Sequence, residues 1–284
     1  MIEIKDVSKQ FGKTRAVDHV SFSVKEENVF GLIGTNGAGK STMLRMLAGV
    51  LKPDTGLVLI DGMQVYDNVN AKKMFFFIGD EPYFFSNATP RDMEKYYSSV
   101  FSAFSRESYY LYLANFGLDS RRKINTFSKG MKKQLALICG ICSGTKYLFC
   151  DETFDGLDPV MRDDILDIFL DYIQDENHSI LMSSHITTDL EKIADYVTFI
   201  HEGKIVFSKT KDELIYNYGI LRCSKDDFDR INPGDILAYR KEDYQWNVLV
   251  ADRDKAMARY RNVIVDHPTI DDILLLYVKG EAAK

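Results

Sequence analysis

Residues 34 to 42 read Gly-Thr-Asn-Gly-Ala-Gly-Lys-Ser-Thr, and the G-x-x-x-x-G-K-S spacing from Gly34 to Ser41 admits few backbone arrangements. The loop needs a buried strand before it and a helix after it. Val29-Phe30-Gly31-Leu32-Ile33 is an apolar run suited to that strand, while Met43, Leu44, Met46 and Leu47 recur at helical spacing. Glycines let successive backbone N–H groups point at phosphate oxygens, and the helix N-terminus adds positive dipole. Asn36, Gly37, Ala38, Gly39 and Thr42 therefore form the expected cradle. Lys40 is expected to neutralise the β- and γ-phosphates, and the Ser41 hydroxyl to hold Mg²⁺. The competing reading is a tight strand-to-helix turn with a surface lysine, and motif and context together weigh against it. The expectation is a chain that binds a nucleoside triphosphate.

At 284 residues the chain has room for one large domain, or a large and a small one. A hydrophobic fraction of 45% and a charged fraction of 27% suit an ordinary soluble protein with a full core. The net charge of −6 argues against nucleic acid as the main partner. Met1-Ile2-Glu3-Ile4-Lys5 starts as a strand and lacks a signal-peptide apolar region. No apolar stretch is long enough to cross a bilayer, so a membrane role would need another chain. Cys139 and Cys142 have CxxC spacing but lie in an apolar helical stretch, where cysteine serves as a small hydrophobe. No second CxxC or histidine pair completes a zinc site.

Ile2-Glu3-Ile4 and Val20 to Val24 alternate as strands do, and Pro53-Asp54-Thr55-Gly56 turns into the strand Leu57 to Ile60. Thr89-Pro90-Arg91-Asp92 starts a helix. Apolar positions then run at helical spacing through Tyr97, Phe101 and Phe104, and again through Tyr109, Leu113 and Phe116, a helical insertion over about residues 89–145. Strands return at Tyr147 to Cys150, Ile180 to Met182 and Val197 to Ile200, with helical segments between, as in a parallel α/β sheet. From residue 219 a small α+β unit is expected. It contains strands at Trp246 to Val250 and Val263 to Val265, and a final helix from Thr269, where Asp272 completes capping-box spacing.

Tyr147-Leu148-Phe149-Cys150-Asp151-Glu152 is an apolar strand ending in two carboxylates, a Walker B pattern. At a strand's C-terminal end such acids face the phosphate loop. Asp151 is expected to hold Mg²⁺ and Glu152 to polarise the attacking water as general base, a role worth roughly 10²–10⁴-fold in rate.

Between these motifs lies Thr126-Phe127-Ser128-Lys129-Gly130-Met131-Lys132-Lys133-Gln134-Leu135. Here the sequence resembles the nucleotide-binding subunits of ABC transporters. The stretch looks like their signature loop in the Ser-x-Gly-Met-Lys form common in subunits serving ABC-2-type exporters. Ser128 and the Gly130 backbone sit where a helix begins and can donate to an anion. The resemblance covers residues 1 to about 215. It implies a P-loop NTPase of ABC ATPase type, with a parallel-sheet core, an N-terminal antiparallel β part and the helical insertion. The ATPase domain would span residues 1–218, and the accessory unit residues 219–284.

Further roles follow from the resemblance alone. Asp155-Gly156-Leu157-Asp158 matches the D-loop, with Asp158 its acid; His185 matches the switch histidine that contacts the γ-phosphate; Phe11 matches the aromatic stacked on adenine. Two positions depart from the pattern. Thr153 replaces a proline. In Phe75-Phe76-Phe77-Ile78-Gly79-Asp80-Glu81-Pro82, Asp80 aligns where the family has a metal-contacting glutamine, with Glu81 as the other alignment. Asp80 can accept from metal-bound water but has no amide to donate.

Members bind ATP and Mg²⁺ between two such domains. Ser128 and Gly130 would meet a partner's γ-phosphate, and a homodimer is the economical expectation. A separate transmembrane permease would dock near Tyr83, Phe84 and Phe85, with this subunit cytoplasmic and peripheral on the membrane's inner face. Export is implied by the signature; the alternative is a soluble or regulatory ABC ATPase that does not drive transport.

Overall fold

A hairpin of two long strands opens the fold: β1 (Ile2–Phe11) and β2 (Thr14–Val24) pair antiparallel, Ile2 opposite Val24 and Ile4 opposite Phe22. This computed structural model describes residues 1–174, 177–242 and 244–281. Parts of the expected C-terminal unit, residues 243 and 282–284, therefore lie outside the described residues. The chain next enters β3 (Val29–Ile33), buried at every position. It turns through the phosphate loop into α1 (Lys40–Leu47), which buries Met43, Leu44, Met46 and Leu47. Strand β4 (Thr55–Ile60) lies antiparallel to β1, and β5 (Met63–Gln64) completes a four-stranded sheet ordered β2-β1-β4-β5.

A short helix, α2 (Val69–Lys72), leads into β6 (Phe75–Ile78). Then come α3 (Pro90–Val100), α4 (Arg106–Asn115) and α5 (Lys129–Ile141), followed by β7 (Tyr147–Asp151). Thr89 and Asp92 close a reciprocal capping box at the start of α3. That helix stops sooner than the apolar spacing suggests. Phe101 is extended, with φ −108° and ψ 110°, so Phe101 and Phe104 lie past its end. Their rings still gather on Tyr97, at centroid distances of 6.3 and 6.5 Å. The periodicity marks one shared core, not one continuous helix.

Helix α6 (Pro159–Ile173), β8 (Ser179–Ser184), α7 (Thr187–Ile193), β9 (Tyr196–His201) and β10 (Lys204–Thr210) complete the central sheet, ordered β10-β9-β3-β8-β7-β6. Its pairs are parallel except for edge strand β10. A sheet covered on both faces explains why β3, β7 and β8 read as apolar runs without alternation. Register decides where chemistry collects. Ile33 pairs with Ser184 and Asp151 with Ser183, so the loops after β3, β7 and β8 leave the sheet side by side.

Beyond this body run β11 (Gly219–Cys223), α8 (Lys225–Phe228), β12 (Ala238–Lys241), β13 (Trp246–Val250), α9 (Arg253–Arg259) and β14 (Ile264–Asp266). These strands form an antiparallel sheet ordered β12-β13-β11-β14. The last helix, α10 (Ile270–Lys279), starts behind a Thr269–Asp272 capping box. It returns to the central sheet: the Tyr277 ring lies 6.4 Å from Phe199 and 5.7 Å from Phe207. The Ile270 N–H donates to Glu191 Oε1 at 2.8 Å, tying α10 to α7. Cys139 and Cys142 are free and buried, and burial pushes the Cys142 thiol up to about 12. Among the described residues no group of three or more His, Cys, Asp or Glu is placed to hold a metal ion.

Candidate active site

The phosphate loop requires glycine at Gly39 for two reasons. Its φ is +112°, and a Cβ there would come within 2.4 Å of the Ala16 carbonyl oxygen. Behind it Lys40 is only 5% exposed. Its Nζ donates to the carbonyls of Gly34 at 2.7 Å and Thr35 at 3.2 Å, and pairs with Glu152 Oε1 at 3.1 Å. The ammonium is curled into the loop and aimed at its concave side. Asn36 and Gly37 are exposed at the rim, Ala38 is buried, and Ser41 and Thr42 are half-buried at the start of α1.

The Asp151 carboxylate that ends β7 and the Glu152 carboxylate just after it are both held by neighbouring side chains. Asp151 is 1% exposed, and its Oδ1 accepts from Ser183 Oγ at 2.8 Å and Ser41 Oγ at 3.0 Å. Burial pushes its carboxyl up from the ordinary aspartate range, with the two hydroxyls pulling the other way. Glu152 occupies the left-handed region at φ +49°, a conformation that costs a non-glycine residue about 1–3 kcal/mol. In return its side chain meets Lys40 through Oε1 and His185 Nδ1, at 2.8 Å, through Oε2. The Glu152 N–H donates to Ser183 Oγ at 3.1 Å. Ser183 thus holds both acids, a role the sequence analysis does not assign to it. The signal available in the sequence is its place two residues before His185, just after the expected strand Ile180 to Met182.

These groups line a cleft of about 340 Å³ bounded by Asn36, Gly37, Gly39, Lys40, Ser41, Thr42, Asp80, Glu152, Asp155 and His185, with Ala16 at one side. A more apolar cavity of about 330 Å³ adjoins it, sharing Asn36 and His185 and reaching Leu274, Leu275 and Val278 of α10.

Other expected site residues lie elsewhere. Phe11 ends β1 in an exposed position, with Lys9 Nζ 5.7 Å from its ring centroid, and does not line the cleft. Its ring is exposed and is not part of the core. Ser128 is exposed and caps α5 by accepting from the Met131 N–H at 3.2 Å; Gly130 sits beside Met161. Neither reaches the cleft of its own chain. Asp158 caps α6, accepting from the Val160 and Met161 N–H groups, so in the Asp155–Asp158 turn it is Asp155 that borders the cleft. Asp80 borders it too, but its Oδ1 is 3.1 Å from Lys133 Nζ, a buried lysine that the sequence analysis passes over.

On the outer surface Tyr83 is 82% exposed and Phe85 46% exposed, while Phe84 is half-buried against the core. The Phe85 ring stands edge-on to Tyr96 at 4.9 Å.

The family described as ABC transporter matches residues 17–155. The chain is 31% identical over 229 residues to the lantibiotic transport ATP-binding protein SrtF of Streptococcus pyogenes, covering 78% of this chain and 98% of that one. It is 31% identical over 211 residues to the bacitracin transport ATP-binding protein BcrA of Bacillus licheniformis, covering 72% of this chain and 68% of that one. Among solved structures, an ATP-binding subunit of an ABC transporter superposes with a TM-score of 0.69 at 26% identity, covering 75% of this chain and 91% of that one.

Proposed function

The chain belongs to the ABC transporter ATP-binding proteins, and from that premise we propose how its residues bind and hydrolyse ATP to drive a separate membrane subunit. One observation carries the reading: at the ends of three neighbouring strands Lys40 pairs with Glu152, Glu152 with His185, and Ser41 with Asp151, all at one edge of the sheet. An incoming triphosphate takes up the loop N–H groups and the Lys40 ammonium, releasing Lys40 from Glu152.

Ser41 and Asp151 suit Mg²⁺. They offer two hard oxygens, and the buried carboxylate's Oδ1 is answered by two hydroxyls. Mg²⁺ favours one or two protein oxygens plus substrate phosphates, and when bound it neutralises phosphate charge. Glu152, freed from Lys40, accepts the proton of the attacking water. An ionised carboxylate has only acceptors, so His185 Nδ1 must carry the hydrogen in the His185–Glu152 contact. That leaves Nε2 free to face the γ-phosphate side.

Ser128 and Gly130 supply what the cleft lacks, but to a second copy. Two chains close face to face, each capping the other's triphosphate with the N-terminal end of α5, and hydrolysis parts them. No helix among the described residues is long and apolar enough to cross a membrane. Its relatives are named as ATP-binding proteins of transport systems, and on that ground the moving part is assigned to another polypeptide. It docks at the exposed Tyr83 and Phe85 rings, which holds this subunit at the cytoplasmic face of the membrane. Outward transport, as the Ser-Lys-Gly-Met signature implies, of compounds akin to the lantibiotic and bacitracin in its relatives' names fits the chain best.

Equilibrium binding of Mg-ATP to the wild type and to Lys40→Ala tests the reading. Affinity should fall by about 100-fold or more when the buried charge-assisted contacts are lost. Equal affinity in the two proteins would refute the assignment.

A further inference from the structure

Lys133 is 1% exposed, at the start of the buried run of α5 that continues through Gln134, Leu135, Ala136, Leu137, Ile138 and Cys139. An ammonium so placed is costly unless each N–H finds an acceptor. Here all three do: Asp80 Oδ1 at 3.1 Å, the Glu152 carbonyl at 2.9 Å and the Asp155 carbonyl at 2.8 Å. A lysine has three donors, so none is left for a substrate. Its partners come from two loops on the edge of the nucleotide cleft, and its own helix is the one capped by Ser128.

We infer that Lys133 is a positioning residue for hydrolysis, with Asp80 as its counter-ion: the ammonium pins the backbone of Glu152 and Asp155 to α5. Two features point beyond ordinary core packing. The pinned carbonyl belongs to Glu152, the residue held in the left-handed conformation that turns its carboxylate onto Lys40 and His185. The clamp also sits five positions along α5 from Ser128, so a displacement of the helix on closure reaches the general base through one side chain. Asp80, nearly half exposed at its side chain, keeps one oxygen toward Lys133, which makes it a partner of this clamp and not a free metal ligand.

The inference rests on the ATPase reading above and is tested with the full chain. Mg-ATP binding and steady-state hydrolysis are compared for wild type, Lys133→Met, Lys133→Gln, Asp80→Asn and the Asp80→Asn/Lys133→Met pair. Lys133→Met should lower kcat at least tenfold while ATP affinity stays within threefold. Lys133→Gln, whose amide keeps two N–H donors, should recover part of the rate, and it decides the matter if the methionine variant does not fold. Asp80→Asn should cost less than Lys133→Met and add nothing to it, because both act through one contact. Wild-type kcat in Lys133→Met or Lys133→Gln would overturn the inference, as would loss of affinity matching the loss of rate. Full multiplication of the Asp80 and Lys133 effects would also overturn it, since Asp80 would then act on its own. Absence of turnover in the wild type would instead refute the ATPase reading and take this inference with it.

Discussion

Ser41 and Asp151 are joined directly, Oγ to Oδ1 at 3.0 Å, across 110 residues of chain. One begins the helix behind the phosphate loop and the other ends β7, so the contact sets the loop against the acidic edge of the sheet. Ser183 adds the third strand by donating to the same carboxylate oxygen at 2.8 Å. The site is therefore assembled by register between parallel neighbours.

Ser183→Ala should loosen that arrangement without removing a ligand. It leaves Asp151 with one hydroxyl donor and the Glu152 N–H without its acceptor. Loss of such a supporting contact typically costs roughly 10–100-fold in metal affinity or activity. Titrating ATPase activity with Mg²⁺ should give a weaker apparent affinity, while ATP binding at saturating Mg²⁺ changes little.

The join between the antiparallel and central sheets should carry a pH signature. Burial raises the Asp61 carboxyl, but hydrogen bonds from Lys146, the N-terminal amine and Tyr147 outweigh it and hold the group at about 2, below its ordinary 3.8. Lys146 Nζ and Tyr147 Oη each donate to Asp61 at 2.8 Å. A carboxyl held down in this way stabilises the fold fully above 3.8, and that contribution fades as pH falls toward 2. Asp61→Asn should accordingly lower Tm at pH 7, with the gap to wild type closing on acidification through that window. Thermal melts at pH 7, 4 and 2.5 read it out.

Tyr83→Ser should separate coupling from chemistry. The ring is 82% exposed and touches none of the cleft, so hydrolysis by the free subunit should persist. Co-purification with the membrane subunit should weaken at least several-fold, as expected for an aromatic anchor. Undiminished association would move the docking surface elsewhere.

Much of this could be read from residues alone because the chemistry is local in sequence. Val29 to Thr42 and Tyr147 to Glu152 each carry a strand and its functional groups in one short stretch, and the capping boxes at Thr89 and Thr269 declare their helices in four. What escaped is set by distance in the chain. Ser183 and Lys133 are ordinary residues in an apolar strand and helix, and only the pairing of β7 with β8 and the packing of α5 give them work. Phe101 and Phe104 show the opposite failure: helical spacing without a helix, because side chains from a turn can join the same cluster. Within the D-loop match, Asp155 borders the cleft of its own chain, while the Asp158 carboxylate is taken up by capping α6, a division that spacing alone does not show.

The central claim is that Glu152 is the base in a site completed by a second copy, and Glu152→Gln measures it most directly. The amide keeps the side chain's size but cannot take a proton from water. With Mg-ATP the variant should bind nucleotide, lose turnover by about 10²-fold or more and sediment as a dimer, returning to monomer when ADP replaces ATP. Continued brisk hydrolysis, or a monomer at saturating ATP, would contradict the account.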